Sequence, residues 1–473
     1  MWDYTCRKME RVVNSYPDPS LSDFLASDNN LSLERETTFR TLSAPVTLQW
    51  ELTPFCNERC IHCYNFWRGP QAGEKLVVDS ETLAIYDRAS REIVGNKVFY
   101  VTVTGGEPLA VLKQTYPYLQ RLAENGVSIS FNTNLTMFTR EKAQTLKRLG
   151  VRSILTSLMS GDPNLNDELA NRPNTHHDVS RGIKLALDEG FWVGANMVVT
   201  KRNLYDIFST AEYVKSLGVT GFSATKAATP INSRNFSEYV LSRKEFQLMI
   251  SELEKVKNEL GLTVDSLEFY PPCTFDIQES RDLCANHVCT AGKTTCTIGF
   301  DGQVRPCSHA VQIYGSILEE NGLKQAWENL HPWRTDIFIP MGCDGCILRN
   351  ACGGGCRSEA YAVFGSLKAP DPYCDFSRQP LLTKQKVQPE VNKNAKFVFR
   401  SDIKARPEIF GGILFLSPRE WLAVDLKLYN YCVNIKQSPF KIDELADMLS
   451  VGSEEIESTI KILLSKSIIR ERG

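Results

Sequence analysis

Three cysteines fall within eight residues, as Cys56-Asn-Glu-Arg-Cys60-Ile-His-Cys63. A [4Fe–4S] cube ordinarily takes four thiolates. A short loop that offers three can bind three irons and leave the fourth open to an external ligand. Zinc is the competing occupant, but structural zinc sites take four ligands, commonly as two CxxC-like pairs, and no partner pair lies near this triplet in the chain. A second set, rich in glycine, runs from Cys273 to Cys374, and the stretch between Cys63 and Cys273 has none. Its CxxC spacing suits a zinc ribbon as well as iron–sulfur ligation. The chain has fifteen cysteines and no positive-then-apolar signal pattern over Met1–Tyr16, so a reducing, cytoplasmic location is expected. Clustered thiols there ligate metal more often than they form disulfides. Between the two sets lies Thr104-Gly105-Gly106-Glu107-Pro108-Leu109, where two glycines let backbone approach a ligand and the proline fixes the exit of the turn.

The elements that must position these residues are legible from periodicity. Strand-like runs at 46–52, 97–103, 127–131, 151–157, 192–199 and 219–224 alternate with helical segments such as 80–93, 139–149, 178–190 and 204–217. Such alternation predicts parallel strands with right-handed crossovers, hence an α/β fold: a partial (β/α)6 barrel, with a doubly wound open sheet fitting the periodicity equally well. The triplet then directly follows the first strand and the glycine turn ends the second, at the carboxyl ends where α/β folds place their chemistry. Residues 1–44 read as a polar, irregular leader with a Tyr-Pro-Asp-Pro turn at 16–19 and a Ser/Asp/Asn-rich run at 27–33. The barrel is expected over 45–270 and a cluster-stabilised, cysteine-rich segment over 271–385. A small winged-helix-like domain is expected over 395–473. In it, Phe397–Arg400 and Gly412–Leu416 read as strands, and Pro418–Val433, Ile442–Leu449 and Ser453–Lys466 as helices, the last capped by Ser453.

With the CxxxCxxC triplet and the Gly-Gly-Glu-Pro turn in this order, the chain resembles the radical S-adenosylmethionine (SAM) superfamily. That resemblance implies a [4Fe–4S] cluster on Cys56, Cys60 and Cys63, with SAM chelating the open iron and being cleaved to a 5′-deoxyadenosyl radical. It implies SAM contacts from Gly105, Gly106 and Glu107. Thr133-Asn134 resembles the family's Thr-Asn-Gly segment with Leu135 in place of glycine, and Ser157 stands where a polar contact is common, although Ser157-Leu-Met-Ser-Gly161 lacks the usual acidic residue. His62 takes the position that is usually aromatic and packs on adenine, and Tyr64, Phe66 and Trp67 are candidate pocket walls or simply core.

Cys289-x12-Gly302-x4-Cys307, then Cys343-x2-Cys346-x5-Cys352-x3-Cys356, then Cys374, resembles the seven-cysteine SPASM extension, which implies two auxiliary [4Fe–4S] clusters and three in all. One would take Cys289, Cys307 and Cys356 with Cys284 as fourth ligand, Cys273 or Cys296 being the alternatives; the other would take Cys343, Cys346, Cys352 and Cys374. The turn Phe300-Asp-Gly302-Gln303 is expected to bring Cys307 to its partners. Cys432 reads as a buried helix residue.

Residues from about 395 resemble the PqqD-like element that binds leader peptides, through Arg406-Pro-Glu-Ile-Phe-Gly-Gly-Ile-Leu-Phe-Leu416, Lys441-Ile-Asp-Glu-Leu-Ala446 and the final helix. The whole therefore resembles a ribosomal-peptide maturase acting on a precursor peptide with a leader and fed by a flavodoxin- or ferredoxin-type electron donor. A SPASM-type oxidase of a protein serine or cysteine is the rival enzyme, and a cluster-bearing DNA-binding sensor the rival outside enzymology. Charge speaks against DNA: Arg400–Gly473 holds eleven Lys/Arg and eleven Asp/Glu, and the chain carries a net −2, where phosphate binding calls for a basic face. No apolar run is long enough to span a bilayer.

Overall fold

The structure, a computed structural model, describes residues 42–65, 76–231, 236–284, 287–378, 380–382, 389–434 and 438–472. The readings made on residues 1–41, and on Phe66 and Trp67, lie outside these. The chain divides into two compact units, one spanning residues 44–383 and one whose described part is chiefly residues 389–472.

The larger unit is built on one nine-stranded sheet. Its strands are β1 (Thr47–Glu51), β2 (Tyr100–Thr104), β3 (Ser128–Asn132), β4 (Ser153–Ser157), β5 (Trp192–Val199), β6 (Gly221–Lys226), β7 (Thr263–Asp265), β8 (Thr295–Ile298) and β9 (Val304–Arg305). The spatial order is β7-β6-β5-β4-β3-β2-β1-β8-β9. Each of β1 to β7 is parallel to its sequence neighbour. A doubly wound sheet would reverse order at a switch point; this one runs on in a single direction, as a partial barrel does. The open-sheet alternative is thereby excluded.

Crossover helices cover the sheet because their apolar residues recur on one face. Ser80–Gly95 buries Ile85, Tyr86, Ala89 and Ile93, and Asp79 caps it by accepting the Thr82 amide. A buried Trp50 on β1 meets Tyr86 edge-on at 6.1 Å between ring centroids. The same sheet continues past residue 270: β8 pairs parallel with β1, and β9 returns antiparallel to β8. The expected hairpin turn closes with Gly299 N–H donating to Gln303 O at 2.8 Å, and Gly302 at φ +78°.

The smaller unit contains β10 (Lys396–Phe399), β11 (Lys404–Glu408), β12 (Gly411–Ser417), β13 (Glu420–Asp425) and β14 (Ile469–Arg472), with helices Leu426–Asn434, Ile442–Leu449 and Ser453–Ser465. β10 pairs antiparallel with β14, while β11, β12 and β13 form a separate antiparallel sheet. Phe397, Phe399, Leu414, Val424, Leu428 and Ile460 share one core. The sequence reading needs two corrections here. Pro418–Val433 is not one helix: Glu420–Asp425, with a continuous apolar run from Trp421 to Val424, pairs with β12 before the helix begins. The last helix is capped at Gly452, not Ser453.

Candidate active site and cysteine clusters

The triplet loop is anchored by its own backbone and polar side chains. Arg59 N–H donates to Ala170 O and Ile61 N–H to Leu169 O, both at 3.0 Å, which ties the loop to the end of helix Pro163–Ala170. The Arg59 guanidinium donates to Cys56 O at 2.7 Å, and Asn57 Nδ2 to Thr136 Oγ1 at 2.8 Å. Cys60 Sγ donates to Glu58 Oε2 at 3.3 Å. Burial, then the negative charge of Glu58 and of Cys63 and Cys56, pushes the Cys60 thiol far above the usual range. Three thiols that repel one another as thiolates need a cationic centre among them, so this donor set fits an iron–sulfur cube. His62 is 7% exposed, and its Nδ1 has no hydrogen-bond partner. Burial holds its pKa down at about 4, so the ring is neutral. An uncharged ring with an orphaned nitrogen beside the triplet fits an absent planar ligand.

The Gly-Gly-Glu-Pro turn lies against this loop. Gly106 N–H donates to Thr53 O at 2.6 Å and Glu107 N–H to Phe55 O at 2.7 Å. A Cβ on Gly106 would sit 1.9 Å from Phe55 O, and one on Gly105, at φ +132°, 2.7 Å from Thr53 O. The two glycines therefore admit the backbone that leads into Cys56, whatever else they admit. The Glu107 side chain is wholly buried and hydrogen-bonded within the chain: Oε1 accepts Leu109 N–H (2.9 Å) and Thr133 O–H (2.6 Å), and Oε2 accepts Asn134 N–H (2.9 Å). Burial raises its pKa against these bonds. Asn134 continues the chain of contacts, its amide donating to Asn57 Oδ1 at 2.9 Å and lying 3.9 Å from Cys56 Sγ. Leu135 stands where the resembled segment has glycine and still adopts φ +57°, at a cost of roughly 1–2 kcal/mol for an L-residue. Ser157 ends β4 and is exposed.

Downstream, the fold gathers two thiol groups. In the first, Cys307 and Cys356 each feel Cys289, and Cys356 also feels Cys307. Cys356 caps helix Arg357–Phe364, accepting Glu359 N–H at 3.4 Å, while its own N–H donates to Asp371 Oδ2 at 2.7 Å. Ser358 Oγ lies 3.4 Å from Cys307 Sγ. Buried thiols at a helix N-terminus suit thiolate ligation, so this group also fits a cluster. Cys284 is buried in other surroundings, beside Ser266, Arg281, Asp265 and Glu254. Cys296 lies in β8 opposite Leu48, in the barrel core.

In the second group Cys343 feels Cys346 and Cys273, Cys352 feels Cys273 and Cys343, and Cys374 is hydrogen-bonded to Cys273. Cys273 thus joins this group and not the first. It accepts Asp375 N–H at 3.4 Å, and with the Cys374 bond its pKa is lowered to about 7. Between the groups, Gly353, Gly354 and Gly355 all hold positive φ, and a Cβ on Gly355 would meet Asp371 Cβ at 2.4 Å. Among the described residues, no three His, Cys, Asp or Glu side chains converge on a single-ion site.

Residues outside the cysteine and glycine motifs also support these sites, and of them the sequence marks Tyr64 alone. Buried Arg357 donates to the carbonyls of Phe338, Leu367 and Ala369 at 3.1, 3.0 and 2.7 Å. Tyr64 stacks on His309 with ring centroids 3.9 Å apart, linking the first loop to the segment after Cys307. Glu51 of β1 and Arg305 of β9 form a buried ion pair. Tyr64 and Arg357 directly follow motif cysteines in the chain, but their partners, and the Glu51–Arg305 pair, come together only in the fold.

A parallel partial barrel with a three-thiol loop and a glycine turn at its carboxyl edge defines a class. Residues 50–214 match the radical SAM superfamily profile, a family that binds SAM and a [4Fe–4S] cluster, so the chain carries a radical SAM domain and is an enzyme. The mycofactocin maturase MftC of Mycobacterium tuberculosis is 27% identical over 363 residues, covering 74% of this chain and 88% of that protein. The AdoMet-dependent heme synthase of Methanosarcina barkeri is 25% identical over 355 residues, covering 71% and 97%. Among solved structures, Streptococcus suis SuiB bound to precursor peptide SuiA superposes with a TM-score of 0.56 at 18% identity, over 70% of this chain and 76% of that one. Among the described residues no helix is long and apolar enough to cross a membrane.

Proposed function

We propose that this enzyme is a peptide maturase, modifying a ribosomally made precursor peptide held by its leader. The observation that carries the reading is a second compact unit whose three-stranded sheet, among the described residues, has β11 and β13 as its outer strands. An edge strand can take up an extended peptide through its backbone, with neighbouring side chains giving specificity. The likeness to a mycofactocin maturase and to SuiB, solved with a precursor peptide, supports this. Because a heme synthase is alike over most of its own length, the substrate class rests on that second unit, which we read as PqqD-like.

When bound, SAM and the first cluster supply a 5′-deoxyadenosyl radical that removes a hydrogen atom from the substrate. Cys56, Cys60 and Cys63 hold that cluster, and the Asn134 amide fixes Cys56. Glu107 locks the second and third strand ends together. The buried His62 ring would lie against the adenine, Gly105 and Gly106 would let the turn backbone approach SAM, and Ser157 would offer a hydroxyl at the end of β4. We assign two further [4Fe–4S] clusters to the SPASM-like segment. One rests on Cys289, Cys307 and Cys356, its fourth position outside the thiols the fold brings together. The other rests on Cys343, Cys346, Cys352 and Cys374, with Cys273 beside them. A flavodoxin- or ferredoxin-type donor, a cytoplasmic location and no nucleic-acid partner complete the reading.

Deleting residues 395–473 tests it, the probe being a synthetic precursor peptide chosen from short reading frames sought next to the gene. We expect peptide affinity to fall at least tenfold, while SAM cleavage without peptide persists. Unchanged affinity and turnover would favour an oxidase of a protein serine or cysteine, and sequence-specific DNA binding without SAM cleavage would favour a sensor.

A further inference from the structure

β6 ends in a lysine that the chemistry above does not use. The Lys226 side chain is 5% exposed, and its Nζ lies 3.5 Å from Glu359 Oε2, whose own side chain is 4% exposed. It also stands over the Tyr373 ring, 5.2 Å from the centroid. Glu359 is held by Thr229 as well, accepting its hydroxyl at 2.7 Å and its amide at 3.3 Å. This pair leads straight to a cysteine. The Glu359 N–H donates to Cys356 Sγ, and buried Asp371 accepts the Cys356 N–H. Glu268 faces the same lysine. One buried lysine therefore pairs with Glu359 and faces Glu268 and Asp371, and two of these three acids, Glu359 and Asp371, touch Cys356.

Charges act strongly where water is excluded, and the potential of an iron–sulfur centre follows nearby charge. We propose that Lys226 is a positioning residue for redox: from the end of a barrel strand it offsets the carboxylates around Cys356 and sets the potential of the cluster held by Cys289, Cys307 and Cys356. This rests on the reading that those cysteines hold a cluster. Gaining an electron adds negative charge, so losing the lysine disfavours the reduced form and losing Glu359's charge favours it.

The test uses full-length protein in which Cys56, Cys60 and Cys63 are replaced by alanine, reconstituted anaerobically and titrated electrochemically with electron paramagnetic resonance detection. Lys226→Met is expected to move one auxiliary midpoint to lower potential at unchanged iron content. Glu359→Gln should move the same midpoint upward, and Lys226→Arg should leave it near the parent value. The signal that moves must be the one lost in Cys307→Ala. Breaking a buried pair is destabilising, so if Lys226→Met loses iron, Glu359→Gln decides alone. Midpoints that stay put, or two that move together, would overturn the inference. A parent protein with no auxiliary signal would remove the cluster reading itself, and this inference with it.

Discussion

Replacing Gly106 by alanine is expected to damage the triplet loop before any ligand is present. The added Cβ would stand 1.9 Å from Phe55 O, 2.4 Å from Phe55 C and 2.9 Å from Pro54 O, all of them backbone atoms that no rotamer change can move aside. The turn must retreat, and with it go the bonds from Gly106 N–H to Thr53 O and from Glu107 N–H to Phe55 O. Leaving a buried donor or acceptor unsatisfied costs about 1–3 kcal/mol, so two lost bonds amount to about 2–6 kcal/mol. That is a large part of the roughly 5–15 kcal/mol that stabilises a typical domain. The assay is urea unfolding of the cluster-free protein under reducing conditions, alongside iron retained after anaerobic reconstitution. Both should fall in the variant. If cluster-free stability were unchanged and only SAM affinity dropped, Gly106 would serve the ligand alone and the account of the turn as a clamp on the Cys56 loop would be wrong.

Three further outcomes follow from buried groups. Arg357→Met should leave the carbonyls of Phe338, Leu367 and Ala369 without their donor, costing about 1–3 kcal/mol for each left buried. Iron analysis should show the auxiliary complement reduced and the triplet's retained. In the smaller unit, Arg406 Nε donates to Glu408 Oε1 at 2.8 Å, with the two side chains 2% and 1% exposed. Glu408→Ala breaks this buried pair and should destabilise the unit, visible as its earlier unfolding in urea. Burial lowers the Lys404 pKa from 10.5 to about 8, so this lysine's own contribution to stability is greatest above the ordinary lysine range and is lost as pH falls through about 8. The gap corresponds to about 3 kcal/mol, and partial exposure cuts it to about 1 kcal/mol. Lys404→Met should therefore raise amide protection in β11 and β12 severalfold at pH 7, whereas unchanged protection would show that the charge is already solvated.

The barrel was legible because its signals are local. Six apolar runs separated by amphipathic segments foretold β1 to β6 nearly to the residue, and the triplet and glycine turn fell at strand ends as expected. What stayed hidden depends on contacts far apart in the chain. Asp371 and Lys226 are ordinary residues in sequence, and only the folded chain carries Asp371 to Cys356 and Lys226 to the Glu359 beside it. β11 was missed because Lys-Ala-Arg-Pro-Glu has neither alternation nor strand propensity; Pro407 is tolerated there because β11 is an edge strand. β13 was read as helix because Trp421, Leu422 and Val424 precede a true helix without a break in hydrophobicity. The choice of Cys284 as a ligand followed spacing alone. Its thiol faces Ser266 and Arg281, while Cys273, more distant in sequence, reaches the second group.

The account turns on the loop at the end of β1 presenting three thiolates and no fourth. Anaerobically reconstituted enzyme, given SAM and a strong reductant, should release 5′-deoxyadenosine, and Cys60→Ala should abolish that release while keeping about eight of roughly twelve irons per chain. Wild-type protein that releases none, or a Cys60→Ala variant that still does, would contradict it.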